Sequence, residues 1–338
     1  MNNTITATLT KINNIGLFLN QDHVENEDNP ISHLNHFCRK YPKIFKTIYR
    51  KVIPQLRAVS YWPNYCYLPT PLCNIILEAH KENMGVERSG SDGEILGALS
   101  SWFYTQGIYK FIPEVYDEII STKCKGNIPV DAVKRLPQHS IYIETPKHSA
   151  MYGFFAHLDF DEESDKSQLR FLLNTPNGLI PVALNLGNWT IFDALKDYII
   201  DVTSNFDKQD NNINEDYIEE ELVPISAQCL SLVLYLCCEE PDIETINDEL
   251  PIRAKPTKTK KGFVLHPPKK PKVWHVGKNI SEQIKLINDY QNGKHNSPIA
   301  HIRKAHWHGV RTGKRGSVEE KLHYKWWPAT LINGKKAA

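Results

Sequence analysis

Within nine residues, "HIRKAHWHG" (301–309), the chain places His301, His306 and His308 beside Arg303, Lys304 and Trp307. Imidazole can ligate zinc, exchange a proton near neutral pH, or only help to specify packing, so three chemistries compete here. On a strand alternate side chains share a face, which would project His306 and His308 together and send Trp307 the other way. Such a pair could give zinc two ligands, with His301 or His323 as a third. The nearby side chains are mainly Arg and Lys, and no Asp, Glu or Cys stands close in sequence to orient the rings or offset the ion's charge. The expectation is no metal and no cofactor.

The same two histidines could act as acid and base in RNA cleavage, with Arg303, Lys304 and Arg311 opposing the phosphate charge. A third reading needs only binding: the cations neutralise phosphates while Trp307, Trp326, Trp327 and Tyr324 offer stacking faces. The plainer account is that these aromatics pack the segment onto a core, and it is expected to hold for about half of them.

Elsewhere, His157 and Asp159 in "FAHLDF" stand two apart and would meet on one strand face, but no nucleophile or third group accompanies them. There is no G-x-S-x-G, H-E-x-x-H or G-x-x-x-x-G-K-[ST] motif, so the common hydrolase and nucleotide signatures are missing. The seven cysteines, Cys38, Cys66, Cys73, Cys124, Cys229, Cys237 and Cys238, contain no C-x-x-C pair. They read as reduced, mostly buried thiols and not as a disulfide framework or zinc knuckle.

The elements that would position these groups follow from periodicity and punctuation. Asn29-Pro30 reads as a cap and first helical position, with Leu34, Phe37, Cys38 and Tyr41 on one face until Pro42 interrupts. Thr70-Pro71 starts a second helix, which Gly85 closes. Ser91 and Glu94 form a capping box for a third, with Leu96, Leu99, Trp102 and Phe103 facing the core and an end near Gly107. From residue 139 the period becomes that of strands: "HSIYIET", "MYGFFAHLDF", "QLRFLLN" and "LIPVALNL" predict a four-stranded antiparallel meander. "NWTIFDALKDYII" predicts a covering helix, residues 205–221 an acidic solvated loop, and "LSLVLYLCC" a buried helix or a central strand. The Pro- and Lys-rich stretch 251–272 predicts an extended connector. A helix near 281–292 and a β-hairpin, "AHIRKAHWHGVRT" and "KLHYKWWPATLIN" joined through "GKRGS", complete the chain.

Charge is divided along the chain. Residues 251–338 hold 20 Lys and Arg against 4 Asp and Glu, which is +16; the whole chain holds 40 against 39, so residues 1–250 carry −15. A basic end of this density suggests a polyanion partner or docking between the halves. The first residues show no basic segment leading into an apolar run, and no stretch approaches the roughly 18 apolar residues that span a bilayer. A cytoplasmic protein is expected.

At "SPIAHIRKAHWHGVRTGK" followed by "KLHYKWWPATLIN" the chain resembles the second of the anti-CRISPR families directed against type V-A CRISPR systems, whose members occur on bacterial mobile elements. "LYLCCEEPDI" and "VWHVGKNI" stand in the family's order, and weaker similarity runs back through "LPQHSIYIET" to the helix around Trp102, so that most of residues 95–335 is covered. The resemblance implies a protein that suppresses production of the effector nuclease by recognising a short nascent segment during translation and lowering the corresponding mRNA. Only the positions of the shared motif carry over: His301, Ile302, Arg303, His306, Trp307, His308 and Gly309.

The resulting expectation is an α+β protein in four segments: a helical region (1–125), an antiparallel sheet with covering helices (126–250), the basic connector (251–272), and a basic helix and hairpin packed on the rest (273–338). Its binding residues would be His301, Arg303, Lys304, His306, Trp307, His308, Arg311, Trp326 and Trp327. Its partners would be the nascent peptide of a CRISPR effector and the ribosome or mRNA in the cytoplasm of a bacterial host, with no membrane. The alternative is an RNA endonuclease using His306 and His308, or a general RNA-binding regulator.

Overall fold

Asn29 accepts a hydrogen bond from the amide of Ile31 at 3.0 Å, and Pro30 takes the first position of α1 (Pro30–Lys40), as the Asn-Pro pair predicts. The structure, a computed structural model, describes residues 28–84, 91–122, 130–146, 149, 151–204, 215–260, 262–292, 301–314, 316–317, 320–328 and 330–332. Helix α1 buries Leu34, Phe37 and, just past its end, Tyr41. Pro42 breaks the run, and after Lys43, in the left-handed region at φ 63°, the chain resumes as α2 (Ile44–Thr47), a π turn (Ile48–Val52) and α3 (Ile53–Leu56). Next come α4 (Thr70–Met84) and α5 (Asp92–Trp102). The expected stop at Gly85 lies outside the described residues.

The capping box at Ser91 is not formed, because the Ser91 side chain makes no cap bond. The Glu94 carboxylate that would complete it instead takes a charge-assisted hydrogen bond from Arg170 Nη1 at 2.6 Å. A bond to a guanidinium outweighs one to an amide, so a local signal yields to a distant partner.

The sheet begins with β1 (Gly107–Phe111), crosses through α6 (Pro113–Ser121) and α7 (Val130–Val133), and continues with β2 (Ser140–Glu144), β3 (Gly153–Asp161), β4 (Lys166–Thr175) and β5 (Gly178–Asn185). After α8 (Ile191–Ser204), a helical run of α9 (Glu215–Tyr217), a π turn (Ile218–Leu222) and α10 (Val223–Cys237) follows, so residues 215–221 are helical where a loop is expected. Then come β6 (Thr257–Thr259), β7 (Gly262–Val264), β8 (Lys272–Val276) and α11 (Lys278–Asn292).

Strands β2 to β5 form the predicted antiparallel meander, but the sheet has six strands in the order β5-β4-β3-β2-β1-β8, and β1 pairs in parallel with both β2 and β8. "GIYKF" and "KVWHV" are strands because each finds a partner far along the chain. Parallel pairing needs a long crossover, which leaves no local turn signal to read. Both faces of this mixed sheet are covered. Ile108, Tyr142, Phe155 and Leu172 pack with α1, α4 and α5 on one side; Tyr109, Ile143, Phe154 and Phe171 pack with α6, α8 and α10 on the other. The strands are therefore nearly continuous in apolar residues instead of alternating.

The run Glu215–Cys237 is long and apolar enough to cross a membrane, but 67% of that apolar window is buried inside the protein. Its Cys229, Leu232, Val233 and Leu234 are fully enclosed, each removing roughly 1.5–3 kcal/mol worth of apolar surface from water in the case of the larger side chains. The six described cysteines are unpaired and five are buried; Cys124 lies outside the described residues.

Candidate functional site

The C-terminal residues form a ribbon. Strand β9 (His301–Arg303) pairs with β12 (Thr330–Ile332), and β10 (His306–Thr312) pairs with β11 (Lys321–Trp327), both antiparallel. The register sets Trp307 opposite Trp326, His308 opposite Lys325 and His306 opposite Trp327. Residues directly opposite share a face, so the ribbon has two distinct sides. Trp307, Tyr324 and Trp326 turn toward the main core: Trp326 is 4% exposed, packs edge-on to Tyr235 at 5.6 Å, and donates its indole N–H to Thr122 Oγ1 at 3.4 Å. Trp307 and Tyr324 meet edge-on at 6.5 Å. Gly309 lies opposite Tyr324, where a Cβ would come 3.3 Å from Leu322 Cδ1.

The other side carries His306, His308, Lys325 and Trp327. His308 is exposed, and Trp327 is 44% exposed. His306 Nδ1 lies 3.1 Å from the Lys304 carbonyl oxygen, so that nitrogen bears the proton and donates. The two imidazoles thus share an outward face, and Lys304 is exposed at its end. Arg311 Nη1 is 3.4 Å from Glu320 Oε1, while Lys325 Nζ is 3.3 Å from Glu240 and 5.2 Å from the centre of the Trp327 ring. The Lys325–Glu240 pair is exposed and weak enough to be exchanged for a stronger anion, whereas in the Arg311 pair the Glu320 side chain is only 18% exposed. The ribbon therefore brings Lys304, His306, His308 and Trp327 together outside and puts Trp307 and Trp326 inside. His301 and Arg303 are on β9, and their side chains lie outside what is described. Among the described residues no three His, Cys, Asp or Glu side chains gather as metal ligands.

Two sequence motifs meet just beneath the ribbon. Asp242, from "CCEEPDI", caps α11: its Oδ2 accepts from the amides of Asn279 at 2.7 Å and Ile280 at 3.0 Å, and its carbonyl oxygen accepts from Gly277 N at 2.7 Å. Gly277 has φ +91° and a Cβ there would stand 2.7 Å from Val115, so "VWHVGKNI" needs its glycine for both conformation and space.

A second polar cluster lies between β3, β4 and the helical layer. Asp159 Oδ2 is 2.6 Å from Arg170 Nε, Asp159 Oδ1 accepts from the amides of Thr70 at 3.1 Å and Phe160 at 2.8 Å, and Arg170 Nη2 donates to Gln168 at 2.7 Å. With Glu94, two carboxylates flank one guanidinium. His157, on the same face, is fully enclosed; neither ring nitrogen has a partner, and burial pushes its pKa down to about 4. The Cys66 and Cys73 thiols are pushed up, by burial first and then by the Asp159 charge, so neither is a ready nucleophile. The His157–Asp159 pair is thus a satisfied acid beside a neutral histidine, built into the core. Sequence reasoning missed Arg170, Glu94 and Thr70 here; the available signal was an arginine inside the apolar strand "QLRFLLN".

Comparison with known proteins bears on the whole arrangement. No curated protein matches the chain. The crystal structure of AcrVA2 is similar in fold, with TM-score 0.58 and 19% identity over 90% of this chain and 98% of that one. The model of the anti-CRISPR type V subtype A2 family (AcrVA2-like) matches residues 109–334, from β1 through the end of the ribbon. That span takes in every strand of the sheet, the Asp242 cap and the outward histidines, and on it the chain belongs to the anti-CRISPR type V subtype A2 family.

Proposed function

We propose that this chain prevents a type V-A CRISPR effector from being made, by engaging the effector's nascent polypeptide and lowering its mRNA. The observation that carries the reading is the family match over residues 109–334, which includes the ribbon and its histidine motif. The outer face of the ribbon, with Lys304, His306, His308 and Trp327, would meet ribosomal or messenger phosphates and stack on an unpaired base, and the exposed Arg311 on the ribbon's other face would add charge. The more acidic residues 1–250 would then be free to recognise polypeptide. His306 and His308 share one exposed face, and this supports a second reading in which the ribbon cuts RNA itself.

The test is to express the protein beside a type V-A effector gene, a synonymous recoding of it, and a version with altered amino acids near the start. Message and effector protein should fall for the first two and persist for the third. A fall that follows nucleotide sequence instead of encoded residues, or no fall at all, overturns nascent-chain recognition.

A further inference from the structure

A cavity lies where the basic connector runs past the helical layer. It encloses about 1090 Å³, at the upper end of what small organic ligands occupy, and no Asp or Glu lines it. Its charge comes from Arg50 on the π turn, Arg57 just after α3, and Arg253 at the start of the connector. None of the three is in an ion pair with a described residue. Arg57 donates to the Trp62 carbonyl at 3.0 Å with its guanidinium 4.2 Å over the Trp62 ring, and Arg253 donates to the Asn64 carbonyl at 3.2 Å. These are neutral partners, which fix the guanidinium groups without cancelling their charge.

His139 reports the resulting field: its pKa is lowered to about 4, by burial first and then by Arg253 and Arg57. The walls are flat and apolar. Phe263, on β7, is 66% exposed, Tyr49 is half-buried, and the Tyr67 hydroxyl is enclosed without a hydrogen-bond partner. Thr259 lines the cavity as well, and the exposed Lys258 and Lys260 flank it in sequence, so the connector's cationic run continues along the rim.

We infer that this groove is a binding site for single-stranded RNA, with Arg50, Arg57 and Arg253 taking phosphates and Phe263 stacking a base. A single-stranded nucleic acid is the polyanion whose units pair each charge with a flat ring, as this lining does; an acidic polypeptide would use the arginines and leave the aromatic faces idle. The assignment deepens the proposed function by giving the message a second place to be held, and it rests on that reading for its biological purpose.

The experiment is fluorescence anisotropy of a labelled short oligouridylate with the purified full chain at about 100 mM salt and across a salt series. Arg50→Gln and Phe263→Ala change exposed side chains and should each weaken binding about fivefold or more, with the thermal midpoint unchanged. Arg50→Gln should also make the salt slope shallower by about 0.7 on the log–log scale, whereas Phe263→Ala should leave that slope alone. A polyglutamate peptide of equal charge should displace the RNA poorly. No binding by the parent, binding by both variants as tight as the parent's, or equal displacement by polyglutamate would overturn the assignment, the last in favour of an acidic protein partner. Loss of the groove result with the effector message still falling in cells defeats the groove alone; RNA binding without that fall defeats the proposed function alone.

Discussion

Trp307 and Trp326 face each other across the β10–β11 ribbon, and Trp326, whose indole N–H reaches Thr122 Oγ1 at 3.4 Å, anchors that ribbon to the core. Its sequence neighbour Trp327 points outward. Trp326→Ala is therefore expected to cost about 3–5 kcal/mol of folding stability, while Trp327→Ala should cost about 0.5 kcal/mol or less. Urea denaturation checks both, with the difference in the midpoint and not in the slope. Equal costs would mean that the ribbon does not pack as described.

The ribbon's exposed histidines and cations make a separate claim. His306→Ala with His308→Ala, and Lys304→Glu with Arg311→Glu, should leave the thermal midpoint within a few degrees, because His308, Lys304 and Arg311 are exposed. The charge-reversal pair should weaken RNA binding more at low salt than at high salt. Purified protein is expected to leave a labelled RNA uncut; cleavage that disappears in the histidine pair without loss of binding would favour the catalytic alternative.

Arg170 stands between Asp159 and Glu94 with its side chain only 12% exposed. Arg170→Met leaves two carboxylates without their cation and should cost about 3–5 kcal/mol in denaturant unfolding. Combining it with Asp159→Asn, which removes one of the stranded charges, should recover part of that loss. A double variant no better than Arg170→Met would show that packing and not charge dominates at this position.

Stability should fall in acid, and His157 sets one window for it. Its pKa is about 4 in the fold against an ordinary 6.5, so the unfolded chain binds more protons between those values. The contribution is therefore complete above pH 6.5 and is lost as pH falls toward 4, reaching about 3 kcal/mol at most. Unfolding free energies of the parent and of His157→Phe across that range check this. The variant should show a flatter profile, and identical slopes would rule out His157 as the source.

Asp242→Ala removes the cap of α11 and should lower stability by about 1 kcal/mol, read as a downward shift in thermal midpoint. Asp242→Asn should recover most of it, since an amide oxygen still accepts the two N–H bonds.

Much of this molecule was legible from its sequence because the signals were local. Asn29-Pro30 starts a helix through bonds spanning two residues, "LSLVLYLCC" is buried on all sides by composition, and the alternation of "HWHGVRT" against "KLHYKWW" specifies a hairpin whose turn lies between them. That alternation also determined that His306 and His308 project together, away from Trp307. What the tertiary structure decided are the choices in which a distant group competes with a near one. Glu94 leaves its capping position for Arg170, "GIYKF" and "KVWHV" become neighbours across nearly half the chain, and Trp326 is taken into the core while Trp327 stays in water. The physical reason is the same in each case: a strand edge, a guanidinium or an apolar cavity acts only at contact range, and which residues come into contact is set by the folded path of the whole chain.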